Sequence, residues 1–119
     1  MNDLIETLPV VALRGMTILP GMVIHFDVSR ERSVKAIEQA MLKEQRIFLV
    51  TQKDVQVEQP GPEDLYRIGT IASVKQVIKL PHNVIRVLAE GLEKAELSHF
   101  SQDGEFLEAE VIRFESEDA

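Results

Sequence analysis

Residues 65–90 read LYRIGTIASVKQVIKLPHNVIRVLAE, a stretch rich in isoleucine, valine and threonine that is broken at Pro81, His82 and Asn83. β-Branched residues suit a pleated surface, so this composition predicts a long strand over Leu65 to Leu80 and another over Val84 to Glu90. Side chains opposite one another in an antiparallel pair share a face, which turns the hairpin into a register. With the turn centred on His82 and Asn83, Leu80 opposes Ile85, Ile78 opposes Val87 and Gln76 opposes Ala89 on an inner face. On the outer face Val77 then opposes Leu88, Lys75 opposes Glu90 and Lys79 opposes Arg86. The first two outer pairings are favourable, whereas the third sets like charges together. The register thus predicts an apolar pair, Val77 and Leu88, on a face that otherwise carries charge. Such a pair is either covered by another element or marks a partner site.

Outward from the hairpin the chain reads as short elements punctuated by single glycines and prolines. The near-continuous apolar run LPVVALR at 8–14 is too short for a helix and predicts a buried strand. Pro20 and Gly21 carry a turn signature. From Met22 to Val28, Ile24, Phe26 and Val28 alternate with Val23, His25 and Asp27, so one face of a strand looks inward. One helix is predicted, from about Arg30 to Glu44, with Val34, Ile37, Met41 and Leu42 at helical spacing and Ala36 and Ala40 widening the stripe. Ser29 is placed to cap it, Lys43 to suit its C-terminal end, and Glu31 with Lys35 to pair across one turn. RIFLVT at 46–51 predicts a strand, and the proline-bearing segment from Asp54 to Asp64 a loop. Further strands are expected near Ala95 to Phe100 and from Phe106 to Phe114, joined by a turn at Gln102-Asp103-Gly104. Many strands and one helix make an α+β domain, mostly β, in the form of a small, twisted, partly closed barrel.

Length and charge bound the function. The 119 residues fit a single domain, and no apolar run approaches the roughly 20 residues that cross a bilayer. The acids near the N-terminus are unlike a signal peptide, which places the chain in the cytoplasm and away from membranes. A formal charge of −7 repels a phosphate backbone and argues against nucleic acid as a partner. The absence of cysteine removes thiol catalysis and thiolate metal sites. The glycines at 15, 21, 61, 69, 91 and 104 form no phosphate-binding motif, and His25, His82 and His99 lack metal-ligand spacing. Neither the acids Glu63 and Asp64 nor those of the tail have apolar surroundings that would raise a carboxyl pKa for acid catalysis, and no serine sits in a nucleophile elbow. The sequence therefore predicts a binding domain with no catalytic residue, no cofactor and no metal. The polar run 115–119 reads as the start of a linker, so the chain is expected to be part of a larger protein.

The strings LPVVALRG, ILPGMV and VSRERS, followed by DLYRIGTIA, KQVIKLP and VLAEGL, resemble the start of the ATP-dependent Lon protease family over about residues 8–100. Two departures are visible: the family commonly has Asp-Gly where this chain has His82-Asn83, and Gly where it has Ser29. The resemblance implies the N-terminal lobe of a substrate-recognition domain of PUA-like (pseudouridine-synthase-and-archaeosine-transglycosylase-like) fold. It further implies a role in protein quality control, engaging unfolded or damaged proteins for ATP-dependent proteolysis in a homo-hexamer. ATP, magnesium and the serine peptidase would belong to downstream modules. On this reading Val77 and Leu88, with Met22 and His25 beside them, are the candidate contacts to protein substrates, methionine adapting to varied partners. The alternatives are a structural module supporting the hexamer, or a free-standing PUA-like binding protein.

Overall fold

Two strands set the architecture because they are apolar on both sides. In the computed structural model, which describes residues 5–56, 62–101 and 106–114, strand β1 (Ile5–Leu13) lies parallel to β3 (Arg46–Thr51). Val11, Leu13, Ile47 and Leu49 face one core, while Leu8, Val10, Ala12, Phe48 and Val50 face a second on the other side of the sheet. A strand buried on both faces needs an unbroken apolar run, which is what 8–14 and 46–51 supply. The parallel pairing requires a crossover, and β2 (Val23–Val28) with helix α1 (Glu31–Met41) provides it.

Three antiparallel strands complete the sheet: β4 (Ile68–Leu80), β5 (Val84–Ser101) and β6 (Glu108–Arg113). β4 pairs with β3 and β5, β6 pairs with β1, and β6 also pairs with the far half of β5, so β5-β4-β3-β1-β6 closes into a ring. β2 adds to the near half of β5 and closes nothing, which leaves the barrel open along a seam between β2 and β1. The sequence separates the strand at 84–90 from one near 95–100. They are one strand, in which Leu92 is the extra residue of a bulge opposite Ile71 and Ala72 of β4, between the half of β5 that pairs with β2 and the half that pairs with β6. The turn expected at 102–104 lies outside the described residues, as do 57–61 of the predicted loop and the tail 115–119. The mostly-β barrel with one helix agrees with the sequence reading.

The hairpin register needs correction by one residue. Leu80 opposes Val84, Lys79 opposes Ile85, Ile78 opposes Arg86, Val77 opposes Val87 and Gln76 opposes Leu88. The connection is three residues long, with His82 and Asn83 both left-handed at φ 67° and 61°. A two-residue turn would have put Pro81 in the ladder, where it has no N–H to donate, and Lys79 against Arg86. The longer loop avoids both. On β5 the expected inner residues Ile85, Val87 and Ala89 are indeed buried. On β4 the faces exchange: Val77 packs against the core, and Ile78 and Gln76 turn outward. A second bulge, between Val74 and Gln76, leaves Lys75 free to meet Glu90 at 3.3 Å.

The helix is shorter than predicted. Arg30 rather than Ser29 occupies the N-cap, with no side-chain capping bond, since a guanidinium has no acceptor to offer; it donates instead to Ala12 O and Gln52 Oε1 at 2.9 and 3.0 Å. The buried stripe is Ser33, Ala36, Ile37 and Ala40, so Met41 and Leu42 fall outside it, Leu42 80% exposed. Beyond Met41 the chain turns back through Gln45, left-handed at φ 63°, whose N–H bonds to Ala40 O at 2.8 Å. Lys43 therefore lies past the helix end. The Glu31–Lys35 pair forms at 3.6 Å.

Candidate functional site

The segment between β1 and β2 is tied down onto the bulge of β5. Leu19-Pro20-Gly21-Met22 forms a turn closed by Met22 N–H to Leu19 O at 3.1 Å. Pro20 presets its first corner and Gly21, at φ +89°, supplies the positive angle that its second corner demands. Gly21 N–H then bonds to Gly91 O at 2.9 Å and Gly91 N–H to Met22 O at 2.8 Å. From β4, the buried Thr70 hydroxyl donates to Ile18 O at 2.7 Å. Gly91 lacks a side chain where it must: a Cβ there would stand 2.5 Å from Leu19 O. The lashing holds Leu19, Met22, Val23 and Leu92 next to one another along the backbone, with exposures of 48, 39, 59 and 39%.

This apolar knot borders the outer face of β2. Of the residues singled out from the sequence, His25 and Leu88 are direct cross-strand neighbours, His25 exposed and Leu88 half-buried, and Met22 stands just before the same strand. Val77 is not with them. It lies on the opposite face, against Val87 and the core, so the structure brings together Met22, His25 and Leu88 only. Leu19, Val23 and Leu92 were missed. Val23 was legible in the alternation of β2, whereas the positions of Leu19 and Leu92 depend on the turn and the bulge.

Alongside, the open seam of the barrel forms a groove of about 550 Å³ between β2 residues His25 to Val28 and the end of β1 at Val11 to Leu13. Arg14, Arg30 and Arg86 line it with one acid, Asp27, a local cationic bias on a chain of net charge −7, and His25 lies beside them. Arg86 grips Asp27 through two hydrogen bonds, 2.8 and 3.1 Å, and that grip holds the Asp27 carboxyl below the usual carboxylate range. A carboxyl whose folded pKa is depressed contributes stability above its unfolded pKa and loses it as pH falls through the folded value. Arg86→Gln is therefore expected to return the Asp27 pKa upward to the ordinary range, which a carbon-detected NMR titration of the carboxyl reads directly. An unmoved titration would mean the pair is not formed in solution.

Among the described residues, no group of three or more His, Asp or Glu is placed to hold a metal ion, and no helix is long and apolar enough to cross a membrane. His82 sits at the hairpin tip and His99 on the far half of β5, apart from His25 in the fold's connectivity. What the surface offers is contact, through an apolar knot and a cationic groove. Residues 7–119 match the family described as the substrate-binding domain of ATP-dependent protease La (LON). The chain belongs to the Lon substrate-binding domain family. The Lon protease of Lachnoclostridium phytofermentans is 52% identical over 117 residues, 98% of this chain and 14% of that protein. Lon protease 1 of Bacillus subtilis is 37% identical over 118 residues, 99% of this chain and 15% of that protein. The chain thus spans about one-seventh of these Lon relatives. The N-terminal domain of a Mycobacterium avium complex Lon protease has the same fold, with TM-score 0.74 at 22% identity over 96% of this chain and 57% of that one. So does a Lon N-terminal domain protein from Xanthomonas campestris, with TM-score 0.72 at 15% identity over 95% and 62%.

Proposed function

We propose that this Lon substrate-binding domain takes hold of apolar segments of unfolded or damaged proteins and passes them to ATPase and peptidase modules elsewhere in a Lon protease. The observation that carries this reading is the lashed apolar knot, Leu19, Met22, Val23 and Leu92, beside His25 and Leu88. A soluble domain ordinarily keeps such groups apart, and here two backbone hydrogen bonds and a buried hydroxyl hold them in place. Each contact is weak, and several copies in a homo-hexamer would convert weak binding into avidity. The chain is taken as one lobe of a longer N-terminal domain, a reading supported by the greater length of the solved Lon domains it resembles. It uses no cofactor itself, ATP and magnesium serving the other modules, and it works in the cytoplasm.

The test is a titration of the isotope-labelled chain with casein, an unfolded protein, followed by amide shifts. Shifts are expected to concentrate between Leu19 and His25 and between Leu88 and Leu92. Met22→Glu with Leu88→Glu should weaken binding about tenfold, or 1.4 kcal/mol, because charge enters a contact that must shed water. Undiminished affinity in a folded double variant would move the site elsewhere. Val77→Ala, a change on the core side, should leave affinity unchanged after correction for the folded fraction.

A further inference from the structure

The seam of the barrel has an open strand edge inside it. β2 runs beside β5 from Val23 to Val28 without a bulge or proline, and β5 is its sole partner strand among the described residues. Met22 O points at β5, where Gly91 donates to it, and backbone direction alternates along a strand. The N–H and C=O groups of His25 and Asp27 therefore point away from β5, into the groove that follows this edge. Exposed sheet edges usually carry a device that blocks further pairing, such as a proline, a bulge or a covering element. Among the described residues this one has no proline, bulge or covering strand along its length.

Across the groove the end of β1 does not compete for the edge. Its pairing with β6 stops at Pro9, and Ala12 O is already taken by Arg30. The four β2 residues that line the groove, His25 to Val28, at about 3.4 Å each give an edge roughly 14 Å long, enough to align several residues of an extended chain. Arg14 lines the groove with no ion pair among the described residues and Arg30 adds positive charge to its wall, whereas the charge of Arg86 is balanced by Asp27. The geometry points to an extended, carboxylate-bearing polypeptide segment that adds as a strand to the open edge of β2, main chain on main chain, with its acids towards Arg14 and Arg30. Strand addition takes affinity from the backbone and so tolerates varied sequences, which suits a binder of unfolded proteins. This rests on the substrate-binding reading above and specifies the mode of contact and the charge preferred.

The experiment measures amide hydrogen exchange across β2 in the 119-residue chain, alone and with a synthetic octapeptide of alternating valine and glutamate. Binding is expected to slow exchange at His25 and Asp27 by about tenfold or more, while Ile24 and Phe26, already bonded to β5, change little. A peptide with lysine in place of glutamate should bind at least about fivefold more weakly, and Arg14→Glu should weaken the glutamate peptide similarly. His25→Pro removes one outward donor and should abolish the alternating protection; if it fails to fold, the exchange pattern of the unaltered chain still decides. Equal binding of the lysine peptide, or binding without alternating protection, overturns the proposal. Protection that arises on concentrating the chain alone would make the occupant a second copy and overturns it equally. If casein binds at the apolar knot while His25 and Asp27 stay unprotected, strand addition fails and the substrate-binding reading stands. If the octapeptide protects the edge and casein does not bind at all, it is the broader reading that fails.

Discussion

Replacing Phe48 by alanine is expected to lower the free energy of unfolding by about 3–5 kcal/mol, the range for emptying a large aromatic site in a packed core. Phe48 is wholly buried in the middle of β3, opposite Val10 on one side and Ile71 on the other. Its ring also fills the place where Gly69 has no side chain: a Cβ on Gly69 would meet the ring at 2.7 Å. Truncation therefore opens a void on two strands at once, and the ring closure by β5 and β6 limits how far the walls can relax. A domain of this size has only about 5–15 kcal/mol in total, so the variant should sit near its folding threshold. Urea unfolding followed by circular dichroism checks this, with a lower midpoint at an unchanged slope. Ile78→Ala is the comparison, 43% exposed on the outer face and expected within about 0.5 kcal/mol of the parent. A Phe48→Ala loss under about 1 kcal/mol would mean the barrel core is more plastic than the packing implies.

How far such features could be read from the sequence follows from which forces are local. Burial patterns are: the unbroken run at 46–51 matches β3 residue for residue, and the alternation through Ile24, Phe26 and Val28 names the inner face of β2 correctly. Turn lengths are not. Pro81-His82-Asn83 as a three-residue loop differs from a two-residue turn by one step, and on the hairpin side of the Val74–Gln76 bulge that step turns Gln76 and Ile78 outward and Val77 inward, which is how Val77 left the candidate site. Ser29 has the chemistry of a cap, yet Arg30 takes the position because Ala12 O and Gln52 lie within its reach, a tertiary fact with no local trace. The groove escapes sequence reading for the same reason, since its walls are residues 11–14 and 25–30 with Arg86, brought together by the failure of β2 to close the barrel.

The apolar knot is also built on a contact that a single methyl group tests. Gly91→Ala is expected to cost about 1–3 kcal/mol, at the upper end of that range, because the added carbon meets backbone rather than a side chain that could swing aside. It would stand 2.5 Å from Leu19 O and 3.1 Å from the Leu19 carbonyl carbon, and relief requires lifting the 18–22 segment off β5. That movement breaks the paired bonds between Gly91 and the segment, Gly21 N–H to Gly91 O and Gly91 N–H to Met22 O, and pulls Ile18 O from Thr70. Gly21→Ala separates strain from crowding: Gly21 has a positive φ but open space around it, so its cost should be only about 1 kcal/mol. Thr70→Val should cost about 1–2 kcal/mol by leaving Ile18 O without its buried donor, with the rest of the barrel unchanged. Hydrogen exchange distinguishes local from global effects. Gly91→Ala should release the amides of Gly21 and Gly91 first, well below the conditions that open β1 and β3. If the knot is what holds an unfolded chain, casein affinity must fall with that local release while the core amides stay protected. A Gly91→Ala variant that loses the lashing yet binds casein as tightly as the parent would show that Leu19, Met22, Val23 and Leu92 need not be held together to bind.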